Sequence, residues 1–222
     1  FAAATFKRGM KYINIPTTLL AMVDASVGGK TGINFNGLKN EVGVFAPADS
    51  VIIDTEFLKS LDMENILSGY AEMLKHALIS DDQHWLELLK FDLDNIDYKK
   101  LQSLVEKSVK IKEEVVDKDP FEKGVRKALN LGHTAGHAFE SLSLIQNRSI
   151  LHGYAVAYGL ICELYFSFVR TEFPKDKLYK TIQFIKENYG VMNINCKDYD
   201  ALYDFMTHDK KNCDGIINFT LL

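Results

Sequence analysis

The chain has 222 residues, long for one average domain and short for two. At 47% hydrophobic and 25% charged, it has enough apolar material for a sizeable core, which rules out disorder as its main state. Lysine plus arginine is 26 against 30 acidic residues, a net charge of −4; that argues against a general nucleic-acid surface and leaves room for local basic clusters.

In chain order, the opening FAAATFKRG reads as the inside of an element, so further protein is expected before it. Residues 12–15, followed by Pro16, Thr17 and Thr18, read as a short strand stopped by proline. Residues 50–54 (SVIID) read as a second, buried strand, and between the two lies a glycine-rich loop, DASVGGKTGIN, then GLKN. This texture suggests the remnant of an α/β domain over 1–62. From about Met63 the pattern turns helical, so 63–222 is expected to form a separate, mainly α domain.

Ile66, Leu67, Tyr70, Leu74, Ala77 and Leu78 recur at helical spacing, as do Leu101, Leu104, Val105, Val109 and Val116. A third helix is expected over 127–144. A fourth, over 153–170, is apolar nearly all round and should be central. Its apolar run, 154–169, is interrupted by Glu163 and is too short to cross a membrane comfortably. A fifth helix should start near Pro174 and stop at Gly190, and a sixth should start at Asp198. DKKNCDG reads as a turn and IINFTLL as a closing strand. The three cysteines (Cys162, Cys196, Cys213) show no C-x-x-C spacing and point to a reducing, cytoplasmic setting.

The chemistry-bearing residues lie where a core should be. If RKALNLGHTAGHAFE is one helix, Arg126, Asn130, His133 and His137 share a narrow face beside small residues. The two histidines could bind one metal, divide metal binding and proton handling, or simply be satisfied by hydrogen bonds. His152 stands before a glycine at the start of the apolar helix, as a loop residue or a ligand. Glu72, Lys75 and His76 form a polar face that reads as solvated on its own; as a hard ligand, Glu72 would complete a Glu-plus-two-His set. Lys112 interrupts an apolar stripe and either snorkels or enters a polar cavity. Gly28, Gly29 and Lys30 suit a phosphate cradle or a tight turn, and lack P-loop spacing.

Together, FKRG, IPTTLLAMVDASVGGKTGIN, GLKNEVG, IIDTEFLKSL, GYAEMLKH, EKGVRKALNLGHTAGHAFE, LHGYAVAYG and DKKNCDGIINFTLL resemble the 3-dehydroquinate synthase family, in order and over almost the whole chain. The resemblance implies the helical metal-binding domain of a dehydroquinate synthase-like fold behind part of an NAD-binding α/β domain. It implies a zinc- or cobalt-dependent lyase of the shikimate pathway, using NAD to convert 3-deoxy-D-arabino-heptulosonate 7-phosphate to 3-dehydroquinate and phosphate. Transient oxidation at C5 would acidify the C6 proton, which the substrate's own phosphate would take on leaving.

By the same resemblance the metal falls to Glu72, His133 and His152, leaving His137 with Asp24, Lys30, Lys75 and Asn130 as catalytic residues. Substrate would meet Arg8, Lys39, Asn40, Lys112, Arg126, Lys210 and Lys211. NAD would meet Thr17, Thr18, Lys30, Lys39, Phe57, Leu58, Lys59 and Ser60. Arg8 resembles a residue reaching a neighbouring subunit, which implies a homodimer; no nucleic acid or membrane is expected as a partner. Where the family usually carries glutamate after His-Gly, this chain has Tyr154. The other readings are a different sugar-phosphate cyclase, a metal-dependent polyol dehydrogenase, and a non-catalytic helical module. On this reading the chain alone should bind NAD weakly or not at all and show no synthase turnover.

Overall fold

The computed structural model describes residues 1–35, 38–207 and 217–222, with the side chains of 34 and 38–40 outside the description. Lys210 and Lys211 therefore lie outside the described residues, as do the side chains of Lys39 and Asn40.

The architecture is mainly helical, as expected. After a one-turn helix α1 (Ala2–Thr5), strand β1 (Ile13–Asn14) pairs in parallel with β4 (Ser50–Val51). The expected buried strand over 50–54 is thus two residues long and exposed, because the pair has no covering layer among the described residues. The glycine-rich segment is not one loop. Its start closes a π-helical turn (Ala21–Ala25), and from Lys30 it forms β2 (Lys30–Phe35), antiparallel to β3 (Leu38–Phe45). Gly28 and Gly29, both at positive φ, make the bend between turn and strand.

Helix α2 (Met63–Ser80) starts at Asp62, whose carboxylate accepts the Asn65 N–H at 2.8 Å, and is buried on all sides from Ile66 to Leu78. A short α3 (Asp82–Leu89), unforeseen in the sequence, follows it, capped by Asp81. Then come α4 (Tyr98–Lys118), α5 (His133–Ile145), α6 (His152–Thr171), α7 (Lys175–Tyr189) and α8 (Tyr199–Thr207). Helix α6 packs against α2, α5 and α7. Leu19, Met22, Tyr70, Leu74, Val156 and Leu160 form the centre of the main core. A smaller cluster joins Ala135, Phe139 and Leu142 of α5 to Leu202 of α8. No helix among the described residues is long and apolar enough to cross a membrane.

Three expectations need correction. The helix expected over 127–144 is broken: Val125–Asn130 is a 3-10 turn, and Gly132, at φ 78°, turns the chain before α5 begins. A side chain there would meet Leu160 and the Val156 carbonyl at 3.0 Å, so the break needs glycine both for its φ and for space. The polar face of α2 is not solvated, since Glu72, Lys75 and His76 are all buried. Residues 217–222 form no strand. They lie along the helices instead, with Thr134 Oγ1 donating to the Asn218 carbonyl at 3.0 Å and the Leu222 N–H donating to Ser167 Oγ at 3.1 Å.

Candidate metal centre and active site

Three elements meet at Glu72. Helix α2 carries this carboxylate into the core, and α5 and α6 each contribute a histidine as their first residue, His133 and His152. Glu72 Oε1 lies 3.4 Å from His133 Nε2 and 3.7 Å from His152 Nε2. One ligand atom from each residue can be chosen so that all lie within 4.8 Å of one another. The close approach of α5 and α6 follows from small residues. A side chain at Gly136 would meet the Ala155 carbonyl at 2.9 Å, and one at Gly159 would meet Gly136 N at 2.8 Å.

The donor set fits a divalent cation. Glu72 is fully buried, and neither of its oxygens has a hydrogen-bond partner among the described residues, although the Lys75 ammonium ion-pairs with Oε2. The His133 Nδ1–H donates to the Leu131 carbonyl at 3.1 Å, and His152 Nδ1 meets Glu140 Oε2 at 3.0 Å. Each partner can only accept from the ring, so both Nε2 lone pairs face Glu72. Burial, then the Lys75 ammonium, lowers the His133 pKa to about 4, which keeps the ring neutral and able to ligate near pH 7. Burial alone would raise the Glu72 carboxyl, but Lys75 and His133 outweigh it and hold the group well below the usual range.

Of the other residues singled out in the sequence, His137, Asp24 and Lys112 lie beside this centre, and Lys30, Asn130 and Arg126 form a second group with Glu122. His137, one turn after His133, has its ring 5.4 Å from that of His133 and 5.9 Å from that of His152, and is not in the three-residue cluster. Lys112 is buried and ion-pairs with Asp24 Oδ1 at 2.5 Å. Burial would raise the Asp24 carboxyl, and the Lys112 ammonium more than offsets it. The Lys30 ammonium pairs with Glu122, which also accepts from Asn130 Nδ2 at 2.7 Å. Buried Arg126 donates to the Pro120 carbonyl at 2.6 Å and to the Gly28 carbonyl at 3.2 Å, tying the 3-10 turn to the glycine bend. Arg126 and Asn130 thus stand in the 3-10 turn ahead of α5, not on one helical stripe with His133 and His137.

The residues assigned to NAD are spread more loosely. Thr17 is exposed, and Thr18 Oγ1 accepts the Ala21 N–H at 3.2 Å. In the 3-10 turn Thr55–Ser60, Phe57 is exposed, Lys59 pairs with Glu56, and Ser60 Oγ donates to the Phe57 carbonyl. Leu58 is fully buried in the core, so its side chain is not presented to a ligand. Arg8 is exposed at φ 67°.

Sequence reasoning missed Glu140 and read His76 as solvated. The latter is buried with both ring nitrogens unpartnered among the described residues, and burial lowers its pKa to about 3. Glu140 was readable as the next turn of the His133–His137 face. Tyr154 does not stand in for a metal-side carboxylate. Two residues after His152 on a helix, it faces the other way, with its ring edge-on to Tyr189 at 5.1 Å.

A family model described as 3-dehydroquinate synthase C-terminal matches residues 69–212, and one described as 3-dehydroquinate synthase N-terminal matches residues 1–68. A curated 3-dehydroquinate synthase from Parabacteroides distasonis is 60% identical over 222 residues, 100% of this chain and 63% of its own length. A bifunctional 3-dehydroquinate synthase/phosphatase from Fusobacterium nucleatum is 40% identical over 96% of this chain and 32% of its own length. The chain therefore spans less than two thirds of these relatives. Among solved structures, a 2-epi-5-epi-valiolone synthase from Streptomyces hygroscopicus subsp. jinggangensis, described with NAD+ and Zn2+ bound, superposes with a TM-score of 0.81 at 26% identity, covering 94% of this chain and 59% of that one. A 2-deoxy-scyllo-inosose synthase complexed with carbaglucose-6-phosphate, NAD+ and Co2+ gives 0.81 at 27% identity, covering 95% and 57%.

Proposed function

Because this chain belongs to the 3-dehydroquinate synthase family, we propose that it carries the metal- and substrate-binding portion of an enzyme converting 3-deoxy-D-arabino-heptulosonate 7-phosphate to 3-dehydroquinate and phosphate. The observation that carries this reading is a histidine and carboxylate cluster, Glu72, His133 and His152, with Lys75 paired to Glu72 and Lys112 paired to Asp24 beside it. An acidic chain that gathers its cations around one metal-competent carboxylate suits an anionic substrate.

Glu72, His133 and His152 would hold zinc or cobalt. When bound, the cation and NAD would supply Lewis-acid polarisation of the C5 oxygen and reversible hydride removal there. The chain's own residues position and polarise. Lys75 keeps Glu72 ionised. His137, beside both ligand histidines, is placed to hand a proton to or from an oxygen bound at that point. Lys112 and Asp24 form a preset charged pair at the wall, and Lys30, now on Glu122, is free to exchange that partner for a phosphate. Thr17, Thr18 and the 57–60 turn would form one side of the dinucleotide cleft, with the division near residue 62 separating this wall from the metal helices. A cytoplasmic homodimer, with Arg8 reaching the second subunit, completes the reading.

The test is phosphate release and 3-dehydroquinate formation with NAD and zinc, using the chain joined to the portion of the Parabacteroides distasonis relative that it does not span. Turnover of the heptulosonate phosphate, and none of a sugar phosphate without the carboxylate, is expected. Equal turnover of the carboxylate-free compound would favour the sugar-phosphate cyclases among the structural neighbours.

A further inference from the structure

Glu163 is the one acidic residue in the apolar run of α6, and it is fully buried. A buried carboxylate is costly unless donors surround it. Here they come from another helix. Glu163 Oε2 accepts the Gly132 N–H at 2.8 Å, and Oε1 accepts the Thr134 N–H at 3.0 Å and the Ala135 N–H at 3.3 Å. The N-terminus of α5 has no cap from its own N-cap residue, Gly132, so α6 supplies the cap.

The first of these bonds leads directly to the metal centre. The Gly132 N–H and the Leu131 carbonyl belong to one planar peptide unit, with donor and acceptor pointing in opposite directions. Glu163 holds the N–H end, and the carbonyl end accepts the Nδ1–H of His133 at 3.1 Å. The line therefore runs from carboxylate through one peptide to imidazole, and ends at the Nε2 that faces Glu72. A negative charge on the N–H polarises the peptide and makes its carbonyl a stronger acceptor. That in turn fixes the His133 tautomer and increases electron density on Nε2. His152 has a carboxylate, Glu140, directly on its Nδ1.

We propose that Glu163 is a positioning residue for the metal ligand His133, acting through the Leu131–Gly132 peptide as Glu140 acts directly on His152. The proposal rests on the metal reading above. It also explains a charged side chain that the substrate chemistry leaves unused: the Glu163 carboxylate is engaged by three N–H groups at the α5 start and is not in the metal-competent trio.

The test uses the full chain and cobalt(II) or zinc. Wild type, Glu163→Gln and Leu164→Ala are compared, the last being a core truncation on the same helix that destabilises without touching α5's cap. Metal affinity is read by competition with a chelator, and ligand geometry by the cobalt d–d absorption, at a temperature where near-ultraviolet dichroism shows each variant folded. Glu163→Gln is expected to weaken binding about tenfold and shift the cobalt bands, whereas Leu164→Ala lowers the melting temperature and leaves both readings unchanged. Unchanged affinity and bands in Glu163→Gln, or the same losses in Leu164→Ala, would overturn the proposal while the metal reading stands. No metal uptake by wild type would overturn both. If Glu163→Gln does not fold, the Gly132 amide proton of wild type decides: it should resonate far downfield and move on zinc binding, and an insensitive amide would refute the relay.

Discussion

Replacing Gly159 with alanine sets two effects of opposite sign against each other. Gly159 lies inside α6, where alanine is favoured by about 0.8–1.0 kcal/mol. Its missing side chain faces the backbone of the α5 start, however. A Cβ would run into the Gly132 carbonyl oxygen and stand 2.8 Å from Gly136 N and 2.9 Å from Gly132 C, closer than the 3.0 Å that real Cβ atoms keep. Backbone cannot rotate aside as a side chain can, so the helices must part. Overpacking of this kind costs about 1–3 kcal/mol; because backbone must move, the upper part of that range, about 2–3 kcal/mol, applies, and the net loss is about 1–2 kcal/mol. For a chain of this size that is a fall in melting temperature of about 2–8 °C. Because α5 and α6 carry His133 and His152, an opening of the order of 1 Å also exceeds the ~0.2 Å tolerance of a zinc site, so affinity should fall about tenfold or more. Thermal unfolding with and without zinc, together with a chelator competition, reads both. Gly190, which has a positive φ and nothing within 4 Å of a built Cβ, is the control: its alanine variant should lose stability and keep the metal. A Gly159→Ala chain as stable as wild type would refute the close-contact argument.

The remaining predictions probe the charges. Glu140→Gln should weaken zinc binding about 10–100-fold by loosening the hold on His152 Nδ1, measured by chelator competition; unchanged affinity would mean that the contact at 3.0 Å orients nothing. Lys75→Met should destabilise the metal-free chain by about 3–5 kcal/mol, since it leaves Glu72 buried and unpaired, and zinc should restore much of the loss; a denaturant titration indifferent to zinc would count against this. His84, away from the metal, is held to a pKa of about 4 by burial and then by the Lys107 ammonium, while its Nε2 meets Ser108 Oγ at 2.9 Å. The folded state prefers the neutral ring, so stability is whole above pH 6.5 and falls as pH drops towards 4, by up to about 3 kcal/mol. His84→Gln should lose less stability than wild type over that window, and equal slopes would assign the acid sensitivity elsewhere. Calorimetry on this chain should show zinc binding without tight NAD binding, because the 57–60 turn and Thr17–Thr18 would form only one wall of the proposed cleft; tight NAD binding would mean the proposed cofactor site is misplaced.

The helices were legible because their apolar faces repeat. Pro174 and Gly190 bracket α7 (Lys175–Tyr189) almost to the residue. The metal trio rested on resemblance, since no spacing rule joins residues 72, 133 and 152. Lys112 was visible as an anomaly on an apolar stripe, and its partner Asp24 lies 88 residues away, beyond any local pattern. Two misreadings have separate causes. Residues 126, 130, 133 and 137 fall on one face when 100° per residue is assumed, and their spacing carries no sign that 125–130 is a 3-10 turn or that Gly132 takes a left-handed φ. The polar face of α2 looked solvated because hydropathy cannot tell a charge in water from a charge neutralised across an interior, as Glu72 is by Lys75.

Both histidines of the centre are the first residues of their helices. At α5 the partial positive end, equivalent to about half a charge, is met by the Glu163 carboxylate, whereas α6 has no capping side chain, so its positive end is left facing the place where a cation would sit. Such a place opposes the cation and welcomes whatever negative oxygen arrives beside it. Glu72, anchored in the middle of α2, supplies the negative charge that would offset that end, so an ion held by the three residues would keep a site on the α6 side where a negative oxygen is favoured.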